Sequence, residues 1–424
     1  MKQLARATLL LLALAAWAAA FPFHAAQGRE HIVIGVATSL TTLEGRESHN
    51  AVQLAAEEIN RAGGVMVGEE RLAIRVVEVD LCDACDAVSV DAVLEKLERF
   101  VKEQGVDAIL VGFFRSEALL AGMDLIAEMS IPFLGTIAMS PASEAKVVQS
   151  DKYRWVFRLG LNSSYLVEYL IQTMKFLQEQ FDVQKVHIIN QDVAWAKTTA
   201  SLMIKLHFER AGWEVVGLDV YPSGTSTFRK SLEAARMRRA DVILPIFDMP
   251  ESGLLVREWN RMESRAILCG FISPMMGPGA WKAFEEGIGG ALNVVFELGN
   301  VPSDVYPPAK RFYDAYKKRF GREIESGHGP APAYESVYVF AEAVERAGTL
   351  DPDAVVKALE QTDRCGTMGR TRFHRGRQVV FGEDPREEAL ACVIQWTEDG
   401  RRRVVYPPSI AEGPIELPRT SSGQ

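Results

Sequence analysis

The sequence predicts an α/β protein with two lobes, each a parallel sheet flanked by helices. Strand-like apolar runs alternate with amphipathic helical stretches, which is the order that builds parallel sheets. Some of these runs, such as 108–112, are apolar throughout, as expected for strands buried on both faces. The chain has 424 residues, more than one hydrophobic core usually fills, so two lobes are expected.

The first block begins with a β-rich apolar run. Its first helix ends at Gly63 and Gly64, in the manner of a C-terminal glycine. The predicted strands are 31–37, 72–80, 108–112 and 131–135, and the predicted helices are 48–62, 88–104 and 116–129.

The same rhythm restarts at 153–160, and this restart predicts the second lobe. Its strands are predicted at 185–190, 214–220, 241–247, 265–270 and 291–298, with helices at 164–181, 228–237 and 251–262. Helices at 307–320, 333–347 and 352–361 then precede short antiparallel strands. Residues 409–424 are rich in Pro, Ser and Gly and are expected to form a disordered tail.

The amino terminus has the pattern of a secretory signal peptide, predicted over residues 1–26. Lys2 and Arg6 precede an apolar run over 9–20 that ends in small residues. The run is short for a bilayer span, and an uncleaved membrane anchor is the alternative. We therefore expect a periplasmic protein. The net charge of −9, or −11 without Lys2 and Arg6, argues against nucleic acid as a partner.

Cys82 and Cys85 form a CxxC motif among acidic residues, which disfavour a reactive thiolate. A zinc site needs two more ligands, and the sequence has no second CxxC or HxxxH. We predict a structural disulfide, either within the motif or from one of its cysteines to another part of the chain. Cys365 and Cys392 are a second possible pair, which would leave Cys269 buried and free.

Enzyme signatures are missing from the sequence. It has no GxGxxG after a strand, no GxxxxGK[ST], no HExxH and no GxSxG. We predict no catalytic residues, no metal site and no cofactor.

Several segments together resemble a known family: GVATSLTTLEGRESHNAVQLAAEEINRAGGV, GVDAILVGFFRSEALLAGMDLIAEMSIPFLGTIAMSP, FRLGLNSS, HIINQDVAWAKTTA and AYESVYVFAEAVERAG. In this order and spacing they resemble the type I periplasmic binding proteins, in the Leu/Ile/Val-binding-protein group of ABC importers. The resemblance covers nearly all of the predicted mature chain. It implies two Rossmann-like lobes joined by a three-strand hinge.

The resemblance also implies discontinuous lobes and a ligand cleft between them. The N-lobe would comprise 28–153 and 297–372, and the C-lobe 154–296 and 373–408. The cleft would lie at the carboxyl ends of the strands, where ligands bind in open parallel sheets.

On the N-lobe, the resemblance implies that the Ser116 hydroxyl and the backbone N–H groups of Ala138 and Met139 hold a ligand carboxylate. Ser116 also suits a helix N-cap, and the two roles are compatible. Phe114 would line an apolar wall.

On the C-lobe, the resemblance places Trp195 over the ligand, with Phe247 and Asp248 in a neighbouring cleft loop. A core position for Trp195 is the alternative. Tyr334 and Glu335 match an aromatic–acid pair facing the cleft, and helical core packing is the alternative for Tyr334.

One departure from the family concerns the acid that pairs with a ligand ammonium. Ile272 stands near its expected place. Because an unpaired buried ammonium is costly, either Asp192, Asp248 or Glu335 supplies the charge or the ligand is not an α-amino acid. The apolar candidates favour a small apolar or aromatic carboxylate or an amide.

The leading functional hypothesis is a monomeric solute-binding protein that delivers a small molecule to an ABC transporter permease in the inner membrane. The alternatives are a ligand-sensing module for a membrane receptor or kinase and, with less support, an exported flavodoxin-like enzyme.

Overall fold

The computed structural model describes residues 29–85 and 87–418, so the predicted signal peptide lies outside the described residues. The strands are β1 (His31–Thr38), β2 (Val65–Val67), β3 (Glu70–Asp80), β4 (Ala108–Val111), β5 (Phe133–Gly135), β6 (Val156–Arg158), β7 (Lys185–Gln191), β8 (Glu214–Tyr221), β9 (Val242–Phe247), β10 (Ile267–Ile272), β11 (Leu292–Val295), β12 (Asp363–Gly366), β13 (Gly369–Arg372), β14 (Cys392–Trp396) and β15 (Arg402–Tyr406).

The α-helices are α1 (Leu43–Arg61), α2 (Val90–Gln104), α3 (Ser116–Met129), α4 (Ala142–Gln149), α5 (Ser163–Phe181), α6 (Ala194–Met203), α7 (Arg229–Met237), α8 (Gly253–Arg261), α9 (Ala280–Ala283), α10 (Pro307–Phe320), α11 (Pro330–Ala347) and α12 (Pro352–Leu359). A π-helical turn, Ile204–Phe208, extends α6, and short 3₁₀ turns occur at Asp151–Tyr153, Pro250–Ser252, Ser273–Met275 and Pro408–Ile410.

The strands form two large sheets, which confirms the predicted fold class. The first sheet has the order β2-β3-β1-β4-β5-β6 and the second β15-β14-β11-β10-β9-β7-β8. Pairing is parallel from β3 to β6 and from β8 to β11. The antiparallel pair β2–β3 was not predicted, because β2 is only three residues long.

Helices α10 and α11 pack with α1 on the first sheet, although they follow the second sheet in the chain. Asn50 donates to the Tyr316 hydroxyl at 3.1 Å, and Arg319 pairs with Glu57 at 2.8 Å. The first sheet extends to Arg158 in β6, so the first boundary of the N-lobe lies several residues beyond the predicted 153.

Three passes of the chain lie side by side between the two sheets. The first pass begins at the end of β6 and pairs with the third pass, because the N–H of Arg158 donates to the Arg377 carbonyl at 2.8 Å. The second pass joins them where the N–H of Leu298 donates to the Leu390 carbonyl at 2.8 Å. This arrangement is the predicted three-strand hinge.

The predicted disordered tail is wrong for residues 409–418. Ile410 and Ile415 are buried, and the backbone of Glu416 exchanges hydrogen bonds with the Gln395 side chain at 2.9 and 2.7 Å. Two apolar anchors and a paired backbone hold this segment against the second sheet. Residues 419–424 lie outside the described residues.

Glu47 is a buried carboxyl on α1 that secures the loop before α11. It accepts hydrogen bonds from the N–H groups of Glu325 and Ser326, the latter at 2.9 Å. Burial disfavours the charged form and raises the pKa of Glu47 from 4.5 to about 7, although these hydrogen bonds oppose the rise. The stabilisation linked to the protonated form is complete below pH 4.5 and is lost as the pH rises through about 7.

We expect Glu47→Gln to remove this pH dependence, since the amide oxygen can accept the same bonds without charge. Between about pH 5 and pH 8 the free energy of unfolding of the wild type should fall by up to about 3 kcal/mol relative to the variant. Urea unfolding across this range measures the difference. Parallel pH profiles for the two proteins would contradict it.

Candidate functional site

The N-lobe part of the site lies where the strand order changes direction. Strands β1 and β4 are neighbours, while β3 continues on one side and β5 on the other. In open parallel sheets the loops after two such strands diverge and leave a crevice for ligands. The loop after β4 carries Phe114 and leads directly into α3, whose first residue is Ser116.

The end of β4 has a strained backbone. Val111 and Gly112 are both left-handed, with φ values of 72° and 73°. This conformation is unusual for a β-branched residue, and at Gly112 any Cβ would lie 2.2 Å from the Phe133 ring. Such strain clusters at functional sites, where the surrounding structure sustains it.

The loop closed by the predicted disulfide supports this strained segment. The Cys82–Cys85 disulfide is present, with a Cα–Cα separation of 5.2 Å, and between its cysteines lies the fully buried Asp83. One Asp83 oxygen accepts from Phe114 N at 2.8 Å and from Arg115 N at 2.9 Å. The disulfide loop therefore sets the backbone that enters α3.

The same carboxylate reaches the loop after β1, because its other oxygen accepts a hydrogen bond from the Ser39 hydroxyl at 2.8 Å. Ser39 in turn accepts from Ala84 N at 2.7 Å. Asp83 thus clamps the two loops that flank the crevice.

Ser116 and Phe114 lie beside the crevice. Ser116 is the first residue of α3 rather than its N-cap; Arg115 occupies the cap position and makes no side-chain cap bond. The side chains of Ser116 and Phe114 are both half-buried. They remain available to contact a ligand.

The loop after β5 offers one of its two predicted donors. The N–H of Ala138 is used, because it donates to the Phe113 carbonyl at 3.2 Å. Among the described residues, no hydrogen-bond acceptor is paired with the N–H of Met139. The prediction for Ala138 is therefore wrong in its donor role, and Met139 keeps it.

The C-lobe part of the site lies at the matching change of direction in the second sheet, between β7 and β9. The indole N–H of Trp195, at the start of α6, donates to a carboxylate oxygen of Asp248, after β9, at 3.0 Å. Gln191 braces this loop by accepting from the N–H groups of Asp248 and Met249 at 2.9 and 3.0 Å. Trp195 is half-buried and Asp248 is exposed.

Three other predicted side chains are committed to packing or pairing. Phe247 is fully buried and makes an edge contact with Phe228, so its predicted place in the cleft is wrong. Ile272 is buried too. Its N–H donates to the Asn293 side-chain oxygen at 2.8 Å, and its carbonyl accepts from the Asn293 side-chain NH₂ at 3.1 Å. Asp192 is paired with Lys197 at 2.8 Å.

Tyr334 and Glu335 are engaged within the N-lobe instead of facing the cleft. Tyr334 donates to Glu58 and packs against Phe312, which agrees with the packing alternative. Glu335 is fully buried, pairs with Arg364 and accepts from Thr367 N at 2.9 Å. Both side chains therefore have their partners within the N-lobe.

The remaining cysteines are unpaired. Cys365 is exposed on β12, whereas Cys392 and Cys269 are buried in the second sheet. The possible Cys365–Cys392 pair is wrong, because the two segments belong to different sheets. Burial raises the pKa of the Cys269 thiol to about 12, so this thiol is unreactive.

A chain of rings and hydrogen bonds connects the two parts of the site. Trp195 contacts Phe271 edge-on at 5.9 Å, and Phe271 stacks on Phe296 at 4.7 Å. Phe296 meets the ring of His328 at 5.1 Å, and His328 Nε2 is 2.7 Å from the carbonyl of Ile137, two residues before Met139. The two sets of candidate residues are thus mechanically linked.

Sequence reasoning missed Asp83, Glu297 and His328. In the sequence Asp83 is one of several acids around the CxxC motif, and its position between the two cysteines is the signal that could have identified it. Glu297 and His328 lie in irregular segments, where the sequence alone gives no sign of their partnership.

The chain belongs to the periplasmic binding protein family, because the family model matches residues 32–385. This confirms the resemblance seen in the sequence. The family consists of substrate-binding proteins rather than enzymes. Among the described residues, no helix has the length and apolar character to cross a bilayer, and no group of three or more acid, His or Cys side chains is placed to hold a metal.

The chain is similar to Leu/Ile/Val-binding protein homolog 7 of Brucella suis, with 26% identity over 386 residues, 89% of this chain and 91% of that protein. Its fold is similar to a putative branched-chain amino acid ABC transporter protein of Silicibacter pomeroyi (TM-score 0.77, 18% identity, covering 92% and 99% of the two chains). It is also similar to LivJ of Streptococcus pneumoniae in complex with isoleucine (TM-score 0.64, 19% identity, 89% and 100%).

We expect Asp83→Ala to destabilise the protein by about 2–4 kcal/mol, because it leaves the Phe114 and Arg115 N–H groups and the Ser39 hydroxyl without their acceptor. Urea unfolding measures the loss. Asp91→Ala, which removes an exposed acid from the first turn of α2, should change stability by less than about 0.5 kcal/mol. Equal losses in the two variants would show that Asp83 has no special role.

Proposed function

We propose that this protein binds an apolar α-amino acid between its lobes, without chemical change, and delivers it to an ABC transporter permease. The observation that carries the proposal is the Trp195–Asp248 pair, which places an aromatic face and an exposed carboxylate together at the C-lobe edge. The names of the curated relatives, Leu/Ile/Val-binding protein homologs, support the same ligand class.

The N-lobe would hold the ligand carboxylate. The Ser116 hydroxyl lies in the first turn of α3, and the Met139 N–H in the neighbouring loop has no acceptor in the part of the chain that the structure describes. Hydrogen bonds from such fixed donors to an ionised acceptor are the stronger kind, and a helix amino terminus favours negative charge. Phe114 would contact the apolar side chain of the ligand.

The C-lobe would hold the ammonium. Of the three acids considered, Asp192 is paired with Lys197 and Glu335 with Arg364. Within the described part of the chain, the neutral indole of Trp195 is the only side-chain partner of Asp248, so the charge of Asp248 is available to a cation. An amino acid therefore fits better than the carboxylate or amide that the sequence favoured, although Ile272 replaces the usual acid.

The location and partner follow from the family and the sequence. Family members are extracytoplasmic components of ABC transporters, and the signal-peptide pattern of residues 1–26 supports a periplasmic location. We propose that the protein acts as a monomer, and its acidic charge supports the absence of a nucleic-acid partner.

Calorimetric titration of ligand-free protein with L-leucine, L-isoleucine and L-valine tests the proposal. We expect binding, and we expect Ser116→Ala, Trp195→Ala and Asp248→Asn each to weaken it by about tenfold or more, since each removes a contact to a charged or apolar part of the ligand. Asp192→Asn is the matched control for Asp248→Asn, because it removes the same charge from the same lobe edge; its affinity should be unchanged.

Deaminated leucine (4-methylpentanoate) and leucinamide separate the ligand classes. Leucine should bind more tightly than either, and Asp248→Asn should reduce its advantage over 4-methylpentanoate. If 4-methylpentanoate or the amide binds more tightly than every amino acid, the amino-acid assignment fails and the ligand class favoured by the sequence replaces it.

A further inference from the structure

His328 lies in the loop before α11 with acceptors on both of its ring nitrogens. Nδ1 is 2.8 Å from a carboxylate oxygen of Glu297, and Nε2 is 2.7 Å from the carbonyl oxygen of Ile137. A carbonyl only accepts, so Nε2 must carry a proton. The same Glu297 oxygen accepts from Leu161 N at 2.9 Å, and its other oxygen accepts from Asn300 and from Gly329 N, so the group serves as an acceptor in all of these bonds. With Glu297 ionised, both contacts of the ring are hydrogen bonds only if the ring holds two protons.

The Ile137 carbonyl belongs to the loop that presents the Met139 N–H. Other contacts of this loop do not depend on a titrating group: the Ala138 N–H donates to the Phe113 carbonyl, and the Met139 carbonyl accepts from Ser163 N. Arg158, which also holds the loop by donating to the Ser140 carbonyl at 3.1 Å, stays protonated at physiological pH. His328 is therefore the contact whose strength follows the pH.

We propose that His328 is a positioning residue that holds the Met139 N–H ready for ligand only while both ring nitrogens are protonated, so that affinity falls as the solution becomes alkaline. This inference rests on the proposed function of the cleft. On losing one proton, the ring can keep its bond to Glu297 or to Ile137, but not both. Either choice loosens the connection between the hinge and the ligand loop.

The charges around the ring support the doubly protonated form. Burial alone lowers the pKa of His328, but the Glu297 carboxylate and the Ile137 carbonyl more than offset this, and Glu44 on α1 adds to them, so the pKa is raised above 6.5. The stabilisation is complete below about pH 6.5 and is lost as the pH rises through the higher folded value. The Arg158 guanidinium is attracted to the Glu297 carboxylate, and burial lowers the pKa of Arg158 to about 10, so it stays mostly protonated up to pH 9.

Glu47, whose pKa is raised to about 7, also titrates in this range, and it reaches the loop of His328 through Ser326, whose hydroxyl accepts from His328 N at 3.1 Å. The experiment is therefore done in the Glu47→Gln background. L-Leucine is titrated calorimetrically between about pH 6 and pH 9. His31→Gln, at an exposed histidine on β1, serves as the matched control and corrects for the ionisation of leucine itself.

The affinity of the control for leucine should fall by about tenfold between pH 6 and pH 9. His328→Gln lacks a titrating ring, so it should bind leucine more weakly than the control at pH 6, and its affinity should not change with pH. Equal pH profiles for the two variants would overturn the inference. If no variant binds any amino acid, the proposed function fails instead.

A second measurement does not depend on ligand. In protein labelled with ¹⁵N-histidine, the ring resonances of His328, identified by their loss in His328→Gln or His328→Asn, should report two protonated nitrogens at pH 7. A neutral ring at that pH would overturn the inference whatever the protein binds.

Discussion

The buried carboxylate of Glu297 is the point on which the arrangement of the two lobes depends. It accepts hydrogen bonds from Leu161 N, after β6, and from Gly329 N, at the start of α11, as well as from Asn300 and His328. These partners come from the first pass between the sheets, from the pass that carries Glu297 itself and from the loop before α11. A charge this deeply buried is tolerated because hydrogen bonds surround it, and that requirement ties the first two passes to the loop before α11.

The candidate site is built mainly from backbone that other groups hold in place. Asp83 holds the start of α3, Gln191 holds the loop after β9, and the loop after β5 is held on several sides. The left-handed Val111 fits this picture, since such a conformation persists only where neighbours impose it. Donors fixed in advance lose little freedom when a ligand arrives, so more of the interaction energy appears as affinity.

Much of the fold was predictable because periodicity and turn residues report local structure. Helices α3 and α10 have the predicted bounds, and the alternation of strands and helices correctly predicted two sheets. The site was less predictable. The clustering of Trp195 with Asp248 follows from strand order, but the loss of Phe247 and Glu335 to buried contacts depends on tertiary packing. The prediction of a disordered tail was wrong for a similar reason. The composition of this segment indicates disorder, but the burial of Ile410 and Ile415 holds it against the second sheet.

The Cys82–Cys85 bond joins residues only three positions apart. A ring that small restricts the unfolded chain less than a long-range crosslink does, so most of its effect is local. What it restricts is the approach of Asp83 to the amino terminus of α3. Closure of this bond would therefore stiffen the rim of the ligand crevice while adding little to the stability of the two lobes.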